Sequence, residues 1–140
     1  MWHVERLTHP NAAVIPMNLL LIIIQIVAAL GLLNVWLLRA NRSTSYRGGA
    51  ATNMREEFSA YGLPAEMVVV VGILKVGAAL ALIAGIWYRV LVLPAALLIC
   101  VLMLGALAMH FKIHDPLRKS APAAGMLALA VIIALGSVYG

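Results

Sequence analysis

The sequence predicts an all-α integral membrane protein, a four-helix bundle with a short interfacial helix in its first loop. Three observations carry this. Of 140 residues, 64% are hydrophobic and 11% charged, with a mean hydropathy of +1.03, too little polar surface for a water-soluble domain of this length. The apolar residues fall into four runs, each of the roughly 17–25 residues a helix needs to cross a bilayer. None of the five acids (Glu5, Glu56, Glu57, Glu66 and Asp115) lies deep within a run. Residues 1–140 therefore read as one transmembrane domain.

Residues 1–13 are short and mixed, with Trp2 suited to a membrane interface and His3 and His9 reading as solvated side chains. The first run, Val14–Leu38, is interrupted only by Asn18, Gln25 and Asn34. It is too long for the apolar stretch of a cleaved signal peptide, so it is expected to stay as helix 1. Arg39–Leu63 is the long connection. Gly48-Gly49 predicts a turn there, and Asn53 followed by Glu56 reads as a capping box that opens a short helix. Met54, Phe58 and Tyr61 give that helix one apolar face, suited to the membrane interface. Gly62 ends it, and Pro64 fits the first turn of helix 2, Pro64–Trp87. Gly77, Ala81 and Gly85 form a small-residue stripe for close backbone approach.

Trp87, Tyr88 and Arg89 make an aromatic and basic border before helix 3, Val90–Phe111, which tolerates Pro94 in its first turn. That helix ends at His110, His114 and Asp115, where Pro116 forbids continuation. Helix 4, Pro122–Val138, offers Ala124/Ala128 and Ala130/Ala134 as packing pairs. The one cysteine, Cys100, forms no disulfide within the chain. Its apolar surroundings make it a packing residue, not a reactive thiol.

Four spans put both termini on one side of the bilayer. Arg6 and Arg89 fall on that side. Arg39, Arg42, Arg47, Arg55, Lys112, Arg118 and Lys119 fall on the other. The asymmetry predicts a prokaryotic-type inner or plasma membrane protein with loops 39–63 and 112–121 in the cytoplasm and both termini outside. The net charge of +5 then reflects orientation and anionic headgroups, with the lipid bilayer as partner and no nucleic acid.

Lys75 is the residue the other spans must accommodate. It stands eleven residues past Pro64, about 17 Å into a layer about 30 Å thick. An ammonium there costs about 2.5–3.5 kcal/mol on insertion scales. Glu66, nine residues earlier, points to the opposite helix face and is no counter-ion. Lys75 either snorkels or hydrogen-bonds Gln25 and backbone carbonyls, or it serves as a proton carrier or general base. Gln25 sits at matching depth and has two compatible readings, inter-helix hydrogen bonding and lining of a polar pocket around Lys75.

Arg39, Tyr46, Asn53, Glu56, Glu57, His110, His114 and Asp115 gather at the cytoplasmic mouth, with Gln25, Asn34 and Lys75 beneath. Glu56 and Glu57 read as a helix cap on a solvated face, or as part of a loop folded under the bundle with one carboxylate inward. His110 and His114, four apart, read as a helix terminus favoured by the dipole, as proton exchange by His110 with Asp115, or as metal ligands. Without H-E-x-x-H the metal reading is the weakest, and no metal is expected. The candidate catalytic residues are Lys75, His110, Asp115 and Glu57. The candidate ligand contacts are Gln25, Asn34, Tyr46 and Asn53. No Gly-rich phosphate loop, Ser–His–Asp arrangement or haem-type axial pair is present.

YRGG, then MREEFSAYGLP, VVGILKVGAALALIAGIW and AMHFKIHDPLRKSAPA, in this order, resemble the DoxX and DoxX-like family of small four-helix membrane proteins. The resemblance covers nearly the whole chain from helix 1 onward. It implies a membrane-embedded bundle tied to redox or sulfur metabolism or to oxidative-stress complexes, the family name coming from a subunit of an archaeal thiosulfate–quinone oxidoreductase. Where Lys75 stands, the family commonly has an acid, although DoxX-like members with lysine there are familiar.

Three functions fit. One is a redox-associated subunit holding a quinone-like or other lipophilic molecule, with an oxidoreductase partner subunit. The second is a self-contained enzyme performing acid–base chemistry on a lipophilic substrate. The third is a transporter or structural module, as a homodimer along the Gly77/Ala81/Gly85 stripe.

Overall fold

The computed structural model describes residues 17–139. The expected start of helix 1 at Val14, and the readings of Trp2, His3 and His9, lie outside the described residues. Within them the chain is all-helical. Helix α1 (Met17–Leu33) continues into a π-helical turn, Asn34–Leu38. There the Arg39 N–H donates to the Asn34 carbonyl, five residues back, at 3.0 Å. The expected regular helix to Leu38 thus ends in one wide turn, of the kind often found at functional sites, and Trp36 turns inward from it.

Helix α2 (Met54–Ala60) lies in the long connection. Asn53 caps it, its side-chain oxygen accepting the Glu56 N–H at 2.9 Å. Glu56 reaches one residue beyond the expected box and accepts from both the N–H and the hydroxyl of Thr52, each at 2.7 Å. The helix ends in a Schellman turn: Gly62 takes φ +77, its N–H donates to Ser59, and the Leu63 N–H donates to Phe58. The Tyr61 carbonyl left over at this end accepts from Lys112 Nζ at 2.9 Å.

Helix α3 (Glu66–Ala84) is shorter than expected at both ends. A turn through Trp87 and a 3-10 turn at Arg89–Leu91 lead into α4 (Val92–Lys112), with Pro94 in its first turn. A second 3-10 turn, Leu117–Ser120, leads into α5 (Ala121–Tyr139). Four helical stretches, Asn18–Leu38, Glu66–Ala84, Arg89–Lys112 and Leu117–Tyr139, are long and apolar enough to cross a membrane. They close a ring in which α1 packs on α3, α3 on α4, α4 on α5 and α5 on α1.

The ring is solid at one end and hollow at the other. The solid half is built from small residues, including Ala28, Ala29, Ala78, Ala79, Ala95, Ala96 and Ala130, interleaved with Leu82, Ile99 and Ile133. In lipid no hydrophobic driving force separates helix from solvent, so close approach through small side chains and van der Waals contact hold such a core. Large side chains such as Val27, Leu30, Ile73, Val101 and Leu135 point outward and are more than half exposed, as a lipid-facing surface requires. Cys100 packs against the core.

Two packing expectations change. In the stripe, Ala81 lies against the core but Gly77 faces open space, and Gly85 falls past the end of α3. In α5, Ala130 is buried and Ala134 half-buried, whereas Ala124 and Ala128 are exposed. Four-residue spacing locates a small-residue row without saying which side of the helix meets a neighbour.

At the hollow end the long connection folds back beneath the bundle. The apolar face of α2 turns inward, so Met54, Phe58 and Tyr61 are buried with Trp36 in a second cluster, against Met67, Val71 and Met109. The Trp36 and Phe58 rings meet edge to face with centroids 6.0 Å apart.

A polar relay closing an apolar cavity

Arg47, Gly48 and Gly49 form the clasp that holds the connection in place. Arg47 is buried, and its Nη1 donates to Glu57 Oε2 at 2.9 Å. Its remaining donors go to the carbonyls of Arg39, Ala40 and Arg42 and to the Met54 sulfur. Glu57 also accepts the Gly48 N–H at 3.2 Å and the Tyr61 hydroxyl at 2.6 Å. Four residues apart on α2, Glu57 and Tyr61 meet by helical geometry alone. A Cβ on residue 48 would stand 2.6 Å from the Tyr61 ring, so glycine is what lets this backbone reach Glu57. Gly49 takes φ +57; its N–H donates to Asp115 Oδ1 at 3.0 Å and its carbonyl accepts from Lys119 Nζ at 2.6 Å.

Asp115 reaches that position because α4 also ends in a Schellman turn. His114 occupies the left-handed residue with φ +56, its N–H donates to Phe111, and the Asp115 N–H donates to the His110 carbonyl at 3.0 Å. The turn folds Asp115 back over the last turn of α4, where Asp115 Oδ2 lies 2.7 Å from His110 Nδ1. The expected shared face of His110 and His114 is corrected: the helix stops between them, and His114 is exposed. Among the described residues no three His, Cys, Asp or Glu side chains converge as a metal-binding set would.

His110 Nε2 faces the Tyr61 hydroxyl at 3.4 Å. Arg47, Glu57, Tyr61, His110 and Asp115 therefore form one connected line from the connection to the end of α4. With His110 protonated at both nitrogens, it donates to Asp115 and to the Tyr61 oxygen, while Tyr61 donates to Glu57. When Nε2 passes its proton to the Tyr61 oxygen, Tyr61 hands its own proton to Glu57. Nε2 is then an acceptor, and the Tyr61 hydroxyl can turn to donate to it, which reverses the middle bond and completes one step of a proton relay. Burial, the hydrogen bond to Glu57 and the charges of Glu57 and Asp115 push the Tyr61 hydroxyl well above the usual tyrosine range, with Arg47 opposing. Tyr61 thus serves as a hydroxyl and not as a phenolate. Burial alone would raise Asp115, but the His110 and Gly49 hydrogen bonds and the charges of His110 and Lys119 together hold it below the ordinary carboxylate range.

Above this line lies a cavity of about 570 Å³, walled mostly by apolar residues of α1, α3, α4 and α5, a size that suits a small lipophilic molecule. Lys75 lines it, with Nζ 5.0 Å from the centre of the Trp36 ring. Such a contact is worth about 0.5–2 kcal/mol. Gly72, one turn earlier, gives the ring its place, since a Cβ there would come within 3.1 Å of it. Among the described residues Lys75 has no ion-pair or hydrogen-bond partner, and its ammonium is not sealed from the cavity.

Glu57, His110, Asn34 and Tyr46 also line the cavity, and Asp115 stands behind His110. Gln25 does not line it: its amide donates to the Leu82 carbonyl at 3.2 Å, tying α1 to α3 within the solid half. Asn53 does not line it either, being occupied as the cap of α2. Trp36, Arg47 and Tyr61 were absent from the sequence-derived candidates. The adjacent Arg-Gly-Gly was the available signal, because a basic residue before two glycines marks a backbone that can approach buried acceptors.

The architecture is that of a small integral membrane four-helix bundle, hollow at the end where a buried polar line crosses it. Residues 33–133 match the DoxX-like family, and the chain belongs to that family. The match contains the whole polar line together with Trp36 and Lys75. A protein of Bacillus subtilis (strain 168), "Uncharacterized protein YdgD", is 35% identical over 83 residues, 59% of this chain and 73% of that protein. No solved structure matches.

Proposed function

We propose that this protein holds a lipophilic small molecule in the hollow end of the bundle, with the polar head of that molecule at Lys75. The observation that supports the reading most is an ammonium that has no acceptor among the described residues and stands on the wall of an apolar cavity, where an uncompensated charge is expensive and is kept for what it binds. The DoxX-like setting favours a redox-associated membrane subunit, with a quinone-like molecule as ligand and an oxidoreductase as partner. A quinone-like head supplies a carbonyl acceptor and a two-electron, two-proton couple. Lys75 donates to the head and orients it, Trp36 and Phe58 exclude water beside it, and Tyr61 and His110 carry protons between cavity and Asp115. On the same reading, loops 39–63 and 112–121 face the cytoplasm, so Asp115 exchanges protons there.

A photoactivatable quinone analogue in phosphatidylcholine vesicles tests this. Labelling is expected on cavity residues such as Met103, Met109 and Met126, with competition by excess unmodified quinone. Labelling confined to outward residues such as Val27 and Leu135, without competition, contradicts it. A self-contained enzyme is the second reading, favoured by the fact that Tyr61 and His110 both border the cavity. Turnover of a lipophilic substrate by the purified chain alone, lost in His110→Ala, separates it from the first.

A further inference from the structure

We infer that the cavity selects a lipophilic anion, a molecule with an apolar body and an acidic oxygen head. This rests on the ligand cavity read above, keeps the apolar body and the head at Lys75, and puts an acidic head in place of a neutral quinone carbonyl. The cavity wall carries four cationic side chains, Arg39, Arg47, Lys75 and Lys119, against one carboxylate, Glu57. Glu57 already accepts from Arg47, Gly48 and Tyr61, so it offers little to an incoming donor. Arg47 is consumed by Glu57 and by backbone carbonyls. Lys119 is held by the Gly49 carbonyl and stands 3.9 Å from Asp115. Lys75 and Arg39 are the two left without an acceptor among the described residues. One lies part-way along α3 and the other at the rim, where α1 ends.

The surplus is of donors and of positive charge together. A cationic head meets like charge at Lys75 and Arg39, and the neutral acceptors on the wall, Asn34, Thr44 and Tyr46, give it no counter-charge. A neutral carbonyl satisfies a hydrogen bond but leaves the ammonium charge uncompensated in a low-dielectric wall. An acidic head supplies both acceptor atoms and counter-charge, the condition under which a buried cation is tolerated. A free lipophilic acid and the headgroup of an anionic phospholipid share this chemistry.

Trp36 lies directly under Lys75 and reports on the site. A variant with Trp2→Phe and Trp87→Phe keeps Trp36 as the sole tryptophan; a second, with Trp2→Phe and Trp36→Phe, keeps the exposed Trp87 as a control for partition into the bilayer. Both go into phosphatidylcholine vesicles and are titrated with dibromostearate, its methyl ester, and phosphatidylglycerol and phosphatidylcholine brominated on their chains. The expected result is saturable quenching of Trp36 by an acid, free or as phosphatidylglycerol, at a concentration at least tenfold lower than for the ester or for brominated phosphatidylcholine. Whichever acid is preferred identifies the source. Trp87 should show no such preference. The preference should vanish in Lys75→Gln and survive in Lys75→Arg. Saturable quenching of Trp36 by acid and ester alike overturns the anionic head and leaves the ligand cavity standing. Quenching no stronger than partition, for every probe, overturns both.

Discussion

Lys75 Nζ sits over the face of Trp36, 5.0 Å from the ring centre, with no acidic side chain bonded to it among the described residues. The ring faces a cation that it only partly compensates. At mid-span an ammonium costs about 2.5–3.5 kcal/mol, and the aromatic face returns about 0.5–2 kcal/mol. Lys75→Met should therefore stabilise the ligand-free protein by about 0.5–3 kcal/mol, read as denaturant unfolding in mixed micelles. A loss of stability instead would make Lys75 a structural anchor.

Glu56 and Glu57 are neighbours in sequence with opposite surroundings. Glu57 pairs with buried Arg47, whereas Glu56 is exposed and bonds Thr52. Breaking a buried pair from one side leaves an unpaired charge and costs about 3–5 kcal/mol. Glu57→Ala should lose stability on that scale, Glu56→Ala far less, and Arg47→Met combined with Glu57→Leu should recover much of the loss. Unfolding midpoints of the three variants check this. Equal effects at the two glutamates would contradict the inward fold of the connection.

Gly48→Ala tests the close approach at Tyr61. A Cβ there stands 2.6 Å from the ring, so either the ring or the Gly48 backbone must move. Overpacking of this kind costs about 1–3 kcal/mol. The double variant Gly48→Ala/Tyr61→Ala relieves the clash, so its loss of stability should fall short of the sum of the two single losses. Additive losses would mean that residue 48 and the ring do not touch.

Asp115 fixes the sign of the response to acid. Its folded pKa is lowered, so its contribution is full above the ordinary aspartate value, about 3.9, and is lost as pH falls through the lower folded value. The groups facing it are His110, the Gly49 N–H and Lys119. Asp115→Asn should be less stable than the parent at neutral pH by an amount that stays constant down to about pH 4 and shrinks below it. A gap that widens on acidification would show that Asp115 is not held as a carboxylate.

The local parts of this structure were legible in the sequence. Four apolar runs give the spans. Asn53 and Glu56 give the start of α2, Gly62 gives its end, and the spacing of Met54, Phe58 and Tyr61 gives its apolar face. The relay was legible only in pieces, because its decisive bonds join residues far apart: Tyr61 to His110 across 49 positions and Gly49 to Asp115 across 66. Arg47 counted in sequence only as one more positive charge near the membrane. His114 misled because left-handed backbone is uncommon outside glycine, so nothing marked the helix stop between it and His110. Gln25 was expected at the depth of Lys75, but it bonds the Leu82 carbonyl, seven residues further along α3 and so about 10 Å from the level of Lys75; counting residues from each helix end did not give the register between the helices.

Lys75 has a role in binding only if the hollow beside it receives a molecule. The direct measurement is mass spectrometry of organic compounds released on denaturing protein purified in a mild uncharged detergent, for the parent and for Lys75→Met. The expected result is one lipophilic species near equimolar with the parent and depleted at least tenfold in the variant. Identical, substoichiometric mixtures of bulk lipid from both would contradict it.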